Sequence, residues 1–167
     1  MKNTFIAMVI GPESPDIIKA LAQTTHELGG VWMRSKVTKM DGQFSALIKV
    51  SIAEDKVDVL KAAFRSDFTA LHFEYAGCPQ EQGQSKKSIS LEVDSKDRPG
   101  LVKDINDLLL NLDMKVVNME SHRFEVAEIG GAVFSAKLDL EVPESTSAES
   151  VATEIETLDD SMRVLVL

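Results

Sequence analysis

The spacing of apolar residues changes several times along the chain, and each change predicts a new element. Thr4 to Ile10 is apolar almost throughout, which predicts a buried strand, and a Gly-Pro turn follows it. Apolar or small residues then recur every three to four positions from Ile17 to Leu28, which predicts a helix. Gly29-Gly30 ends this helix, as glycine commonly does.

Two strands, a helix and a final strand complete the first half of the chain. Val31 to Met40 predicts a strand, and Asp41-Gly42 is a strong hairpin signal. The return strand alternates, with one set of positions predicted to be buried: Phe44, Ala46, Ile48 and Val50. A short helix over about Glu54 to Arg65 and a strand over Thr69 to Tyr75 give the order βαββαβ.

The same order begins again after residue 87. The alternating residues Ile89, Leu91 and Val93 precede a helical stripe, and this stripe superposes on the first one at a shift of 84 residues. The stripe consists of Leu101, Val102, Ile105, Leu108, Leu109 and Leu112.

The second hairpin is longer than the first. Phe134-Ser135-Ala136 matches Phe44-Ser45-Ala46 at a shift of 90, so six residues are inserted around Phe124 to Gly131 and predict a longer loop. A strand over 132–142 ends at Pro143, and Ser147 is a predicted N-cap of a helix. Arg163 to Leu167 is the predicted last strand.

The pattern predicts an α+β chain of two ferredoxin-like βαββαβ sandwiches in tandem. Their predicted ranges are 1–76 and 88–167, joined by a linker over 77–87 that is rich in Gly, Gln, Ser and Lys. Each sandwich leaves one sheet face and two strand edges uncovered, so we expect tandem packing and a homodimer.

Composition and charge narrow the functions that the chain can have. The net charge is -9, of which about −1 falls in residues 1–83 and −8 in 84–167, so direct binding to nucleic acid is disfavoured. The single cysteine, Cys78, excludes an internal disulfide and predicts a cytoplasmic protein. The three histidines have no metal-ligand spacing, so neither a metal nor another cofactor is expected. The apolar run Phe5 to Ile10 is too short to span a membrane.

The junction between the first strand and first helix of the second repeat is the strongest candidate site. It reads Asp97-Arg98-Pro99-Gly100-Leu101-Val102. Proline suits the start of a helix, and glycine allows close approach of a backbone or ligand. The N–H groups and the positive dipole end of such a helix favour a small carboxylate.

This turn, placed in a βαββαβ unit, resembles the signature of the ACT domain family of amino-acid-sensing modules. Over its whole length the chain is similar to the glycine cleavage system transcriptional repressor family. The resemblance implies a regulator without enzymatic activity that senses glycine and restrains a transcription activator by binding it. It also implies ligand contacts at the turn and at the start of the second strand, which are here Asp97, Arg98, Gly100, Leu101, Lys115 and Asn118.

Two features of the turns leave alternatives open. In the first repeat Asp16 takes the position of Gly100, near Glu13, and this acidic setting disfavours a ligand carboxylate. Arg98 could clamp a carboxylate or pair with Asp94 or Asp97.

Other functions and surfaces fit the same fold. An acylphosphatase-like enzyme shares the βαββαβ order, but it needs a glycine-rich phosphate loop with an arginine, which does not follow Ile10. A regulatory subunit of an amino-acid metabolic enzyme is a further alternative. Trp32, Met33, Phe73 and Tyr75 could form a docking surface on an open sheet face, although filling the core is the favoured interpretation.

Overall fold

The structure, a computed structural model, describes residues 1–79 and 86–167. It divides into two compact units, Met1–Glu81 and Gln82–Leu167. The first unit contains β1 (Lys2–Pro12), α1 (Ile17–Glu27), β2 (Val31–Met40), β3 (Gln43–Ala53), α2 (Val57–Asp67) and β4 (His72–Gly77). The second contains β5 (Lys86–Lys96), α3 (Leu101–Asn111), β6 (Lys115–Val126), β7 (Gly131–Pro143), α4 (Ala148–Glu156) and β8 (Arg163–Val166).

Each unit has one antiparallel sheet of four strands, in the orders β2-β3-β1-β4 and β6-β7-β5-β8. The first and third strands of each unit are central, and the second and fourth form the edges. This arrangement confirms the predicted fold class of two ferredoxin-like βαββαβ sandwiches.

Alternation along the central strands places the apolar core on the helix side of each sheet. In β3 every second residue from Phe44 to Ile52 is buried, and in β7 the same holds from Phe134 to Val142. The helices bury the stripes facing these strands, with Leu21, Leu60 and Phe64 in the first unit. The predicted inward sets of both return strands are thus confirmed.

Several predicted boundaries shift by a few residues. A short 3₁₀ turn over Glu54–Lys56 precedes α2, and β4 begins at His72 instead of Thr69. Ser147 caps α4 as predicted, because its hydroxyl accepts a hydrogen bond of 3.1 Å from the Ser150 N–H. The linker prediction falls partly on residues 80–85, which lie outside the described residues; β4 ends at Gly77 and β5 begins at Lys86.

The six-residue insertion makes a longer connection, as predicted, but only two of its residues lie there: the connection has four residues, against two in the first hairpin. The other four lengthen the hairpin strands, so that β6 pairs with β7 as far as Val126 opposite Gly131. The connection is a 3₁₀ turn over Ala127–Ile129 followed by Gly130, which has a φ of 62°. Strand pairing continues here because each added residue on β6 finds a backbone partner on β7.

Candidate functional site

The first strand-to-helix turn is built in the same way in both units. In the first unit, the Glu13 N–H donates to the Gly42 carbonyl at the hairpin, at 2.8 Å. In the second, the Asp97 N–H donates to the Ala132 carbonyl at the equivalent place, also at 2.8 Å. A backbone hydrogen bond therefore ties each turn to the tip of the hairpin beside it.

A salt bridge between the turn and the second strand reinforces this link in both units. Glu13 pairs with Lys39 of β2, and Asp97 pairs with Arg123 of β6, where Asp97 Oδ1 lies 3.2 Å from Arg123 Nε. Lys39 is opposite Phe44 and Arg123 is opposite Phe134, so the two bases occupy matching register positions. Asp97 Oδ1 is buried and accepts no hydrogen bond from the described residues. The ion pair with Arg123 therefore offsets the cost of burying this oxygen.

The residue before each helix has a left-handed backbone. Gly100 has a φ of 81° at the start of α3, and Asp16 has a φ of 62° at the start of α1. Neither residue caps its helix with a side chain, and the first N–H of α1, that of Ile17, donates to the Ser14 carbonyl within the turn at 3.5 Å. The two turns thus share one conformation, although the sequence distinguishes them as aspartate and glycine.

Arg98 is held inside the second unit by two carboxylates. Its Nη1 donates to Asp104 of α3 at 2.8 Å, and its Nε donates to Asp159 at 3.1 Å. Hydrogen bonds to Asp104 and Asp159 raise the pKa of Arg98 above its usual value. The prediction that Arg98 pairs with Asp94 or Asp97 is wrong, because its guanidinium reaches across the turn to the segment before β8.

Asp159 also organises the segment that receives Arg98. Its Oδ1 accepts hydrogen bonds from the Ser161 hydroxyl at 2.6 Å and from the Ser161 N–H at 2.9 Å. The Ser161 hydroxyl is in turn 3.0 Å from that of buried Ser95 on β5. The bonds from Ser161 and then Arg98 hold the pKa of Asp159 below its usual range. We call Arg98, Asp104, Asp159 and Ser161 the turn latch.

The remaining predicted contacts are divided between the turn and the far end of the sheet. Leu101 is fully buried, so only its backbone can face a ligand. Lys115 lies opposite Glu141, whereas the β5 end beside the turn lies opposite Val133. These β7 positions are eight residues apart, roughly 27 Å along a strand. Asn118 lies three residues after Lys115 on β6, closer to Lys115 than to the turn, and its side-chain amide donates to the Asp139 carboxylate at 3.2 Å. Within one unit, the structure does not bring Lys115 or Asn118 to the turn.

A hollow of about 500 Å³ lies at the turn of the first unit. Its lining includes Glu13, Asp16, Lys19 and Lys39. The sequence prediction disfavoured a carboxylate ligand at this turn because of its acidic residues. In the structure, the positive charges of Lys19 and Lys39 balance the negative charges of Glu13 and Asp16. Lys39 is the residue in the sequence that could have indicated this hollow. It reaches the turn because the register of β2 against β3 places it beside Glu13.

The aromatic residues considered for docking are mostly part of the core. Trp32, Phe73 and Tyr75 pack against the helix side of the first sheet, and the Trp32 indole donates to Thr25 at 3.1 Å. Met33 differs, because it stands at a bulge in β2 and is 62% exposed. The interpretation of these three aromatic residues as packing residues is confirmed.

Two negative findings apply to residues 1–79 and 86–167. No helix there has the length and apolar content to cross a membrane. No group of three or more His, Cys, Asp or Glu residues there is arranged to hold a metal ion.

Comparison with known proteins agrees with this architecture. Residues 3–74 match the family model of the ACT domain. A search of curated protein sequences found no match.

Two solved structures superpose over nearly the whole chain. An unknown protein from Galdieria sulphuraria has a TM-score of 0.83 at 15% identity, covering 99% of this chain and 98% of the other. A protein provisionally described as a glycine cleavage system transcriptional repressor has a TM-score of 0.75 at 11% identity, covering 100% and 99%. At these identities the likeness shows that the tandem fold is shared.

Proposed function

We propose that this chain, which carries an ACT domain in residues 3–74 and a second unit of the same fold, is a regulator without enzymatic activity that senses a small amino acid. The observation that carries the proposal is the ACT domain match combined with two turns of one geometry. Each turn places the start of a helix that has no side-chain cap beside a salt bridge. A helix start of this kind suits the carboxylate of an amino acid.

Glycine is the ligand we propose, and the turn of the second unit is the proposed site. Asp97, Arg98, Gly100 and Leu101 form that turn, and Gly100 leaves open space where a Cβ would stand. Lys115 and Asn118 would contribute only if the start of β6 in another copy of the chain reached the turn. Arg98 is already paired, so we assign it the role of holding the turn in shape.

The proposed output is repression through a protein partner in a homodimer. Likeness to the full-length fold of a provisionally described repressor supports this idea, and the acidic charge of the second half disfavours direct DNA contact. We therefore propose that the chain binds a transcription activator of glycine cleavage genes. A pull-down of that activator with and without added glycine tests this output separately from ligand binding.

Isothermal titration calorimetry with glycine, serine, leucine and acetate tests the sensing step. We expect glycine to bind and to raise the thermal midpoint, since a ligand at 100 times its Kd stabilises the folded state by about 2.7 kcal/mol. The Asp97→Ala variant is expected to lose the response, while Asp94→Ala on the adjacent strand keeps it. If none of the amino acids binds the wild-type chain, amino-acid sensing is wrong.

The two alternatives make different predictions. An acylphosphatase needs an arginine in a phosphate loop, but the turn from Gly11 to Asp16 carries Glu13 and Asp16 instead. Hydrolysis of benzoyl phosphate by the purified chain would support that enzyme and contradict our proposal. A regulatory subunit of a metabolic enzyme would also bind an amino acid, but it would capture an enzyme and not the activator.

A further inference from the structure

The open face of the first sheet is the surface of β1 to β4 opposite the buried core residues. Apolar side chains lie on it in three neighbouring strands: Met8 and Ile10 on β1, Leu47 on β3 and Met40 on β2. Ile10 is 54% exposed, Leu47 50% and Met40 68%. Met8 stands directly opposite Leu47, and Ile10 is the next residue of β1 on this face, so these three residues form a connected patch, with Met40 farther along at the hairpin end of β2.

The second unit shows that the fold does not need these apolar residues. Met8 and Leu47 face each other in the first sheet, and the pair in the same register position of the second sheet is Glu92 and Lys137. Asp94 occupies the position that matches Ile10. The same architecture therefore forms with charged residues at the centre of the open face, where its exposed apolar residues Phe124 and Leu165 lie only on the edge strands. The apolar patch of the first unit requires an explanation other than folding.

Positive charge lies beside the patch. Lys36 is opposite Leu47, and Arg34 is opposite Lys49, so β2 and β3 carry three cations on this face. Glu74 on β4 is 3.4 Å from His72, at the other edge. The face is thus a basic exception in a chain whose net charge is -9.

The patch and the charges meet in a shallow hollow. It encloses about 550 Å³, and its lining includes Met8, Ile10, Lys36 and Leu47. An extended or helical segment with one apolar side could place its side chains on this floor. Acidic side chains on its flank would then lie near Lys36 and Arg34.

We infer that the open face of the first unit docks an acidic amphipathic segment of a partner protein. The first unit of a second copy is a poorer occupant, because its open face would bring a second set of three cations against the first. A dimer formed through the more acidic second unit is an outcome that the test distinguishes. The inference does not depend on amino-acid binding at the turns, so either one can fail alone.

Selection from a phage library of random 12-residue peptides on the immobilised full-length chain tests this inference. We expect enrichment of peptides that combine apolar residues with a net negative charge. Fluorescence anisotropy of an enriched peptide is expected to show an affinity that weakens with added salt. The double variant Met8→Ser/Leu47→Ser and the single variant Lys36→Glu are each expected to weaken binding at least tenfold.

The second sheet supplies the matched control. Glu92→Ser/Lys137→Ser changes the same register positions there and is expected to leave peptide binding within twofold of wild type. Circular dichroism of each variant verifies that it folds. No enrichment, enrichment of basic peptides, or equal binding by all variants would overturn the inference. It would also be overturned if sedimentation showed dimers of the wild-type chain that the Leu47→Ser change abolishes.

Discussion

At the scale of single residues, the two turns have the same backbone shape, but the free-energy cost of adopting it differs between Asp16 and Gly100. Asp16 and Gly100 both have a left-handed backbone, which glycine adopts freely and other residues adopt at a cost. Asp16 makes no side-chain cap that would offset this cost. Its negative charge near the start of α1 gives only a small compensation.

We expect Asp16→Gly to raise the free energy of unfolding by about 0.5–1 kcal/mol, since it relieves the left-handed strain. Gly100→Ala is expected to lower it by about 1 kcal/mol. An added Cβ at Gly100 meets nothing within 4 Å, so that cost is purely conformational. Urea denaturation followed by circular dichroism measures both changes.

Asp16→Ala serves as the control, because it removes the charge and keeps the Cβ. It is expected not to stabilise the chain. If Asp16→Ala stabilises as much as Asp16→Gly, charge and not backbone strain determines the effect.

Residue-level sequence reasoning succeeded where the relevant partners were close in the chain. It located the turn and the special position of Gly100, because proline, glycine and the helical stripe are all local signals. It missed both partners of Arg98: Asp159 is 61 residues away and is brought near only by the pairing of β8 with β5, and Asp104, six residues away, is brought near by the first turn of α3. It also underestimated the turn of the first unit, whose Lys39 arrives through hairpin register.

At the scale of elements, the turn latch joins three parts of the second unit. Arg98 belongs to the turn, Asp104 to α3, and Asp159 to the segment between α4 and β8. Ser161 extends the connection to the N–H of Lys96 at the end of β5. The position of the turn therefore depends on a segment near the C-terminal end of the described chain.

We expect the latch to lose its contribution to stability in acid. The folded-state pKa of Asp159 lies below its ordinary value of 3.8, so its contribution is fully present above that pH and disappears as the pH falls through the folded pKa. Asp159→Asn is expected to lower the thermal midpoint at pH 7. The difference from wild type is expected to shrink as the pH falls below 3.8 and through the lowered pKa of Asp159.

Asp160→Asn is the control for this effect, since Asp160 is the exposed neighbour of Asp159. Differential scanning calorimetry from pH 2.5 to pH 7 compares the three proteins. A wild-type advantage over Asp159→Asn that persists unchanged at the lowest pH would contradict an ionic role for the latch.

Element order followed from the sequence because the apolar period differs between strands and helices. The inserted hairpin residues were all assigned to the loop because they were recognised by a length difference alone. In the structure two of them lengthen the connection and four extend the paired strands, an arrangement that depends on cross-strand hydrogen bonds. Strand pairing of this kind leaves little trace in the spacing of apolar residues.

At the scale of the whole molecule, the negative charge is concentrated in the second half of the sequence. A protein with this charge must approach a phosphate backbone against electrostatic repulsion. The cations on the open face of the first unit lie beside an apolar patch, not in a long row matched to phosphates. We therefore expect no direct binding to DNA.

A gel-shift assay with duplex DNA tests this expectation. No retarded band is expected at roughly 10 µM protein, within the range where basic proteins bind DNA non-specifically. Addition of the partner activator is expected to restore a shift through that protein. A salt-sensitive shift by the chain alone would contradict both the charge argument and the proposed mode of repression.

The backbone bond between each turn and its hairpin gives the molecule two internal spectroscopic reporters. The Glu13 amide is bonded to Gly42, and the Asp97 amide is bonded to Ala132. Occupation of either turn by a ligand should slow hydrogen exchange at that amide. A single ¹⁵N-resolved exchange experiment could therefore read the two turns separately, and an uneven response would identify the sensing unit directly.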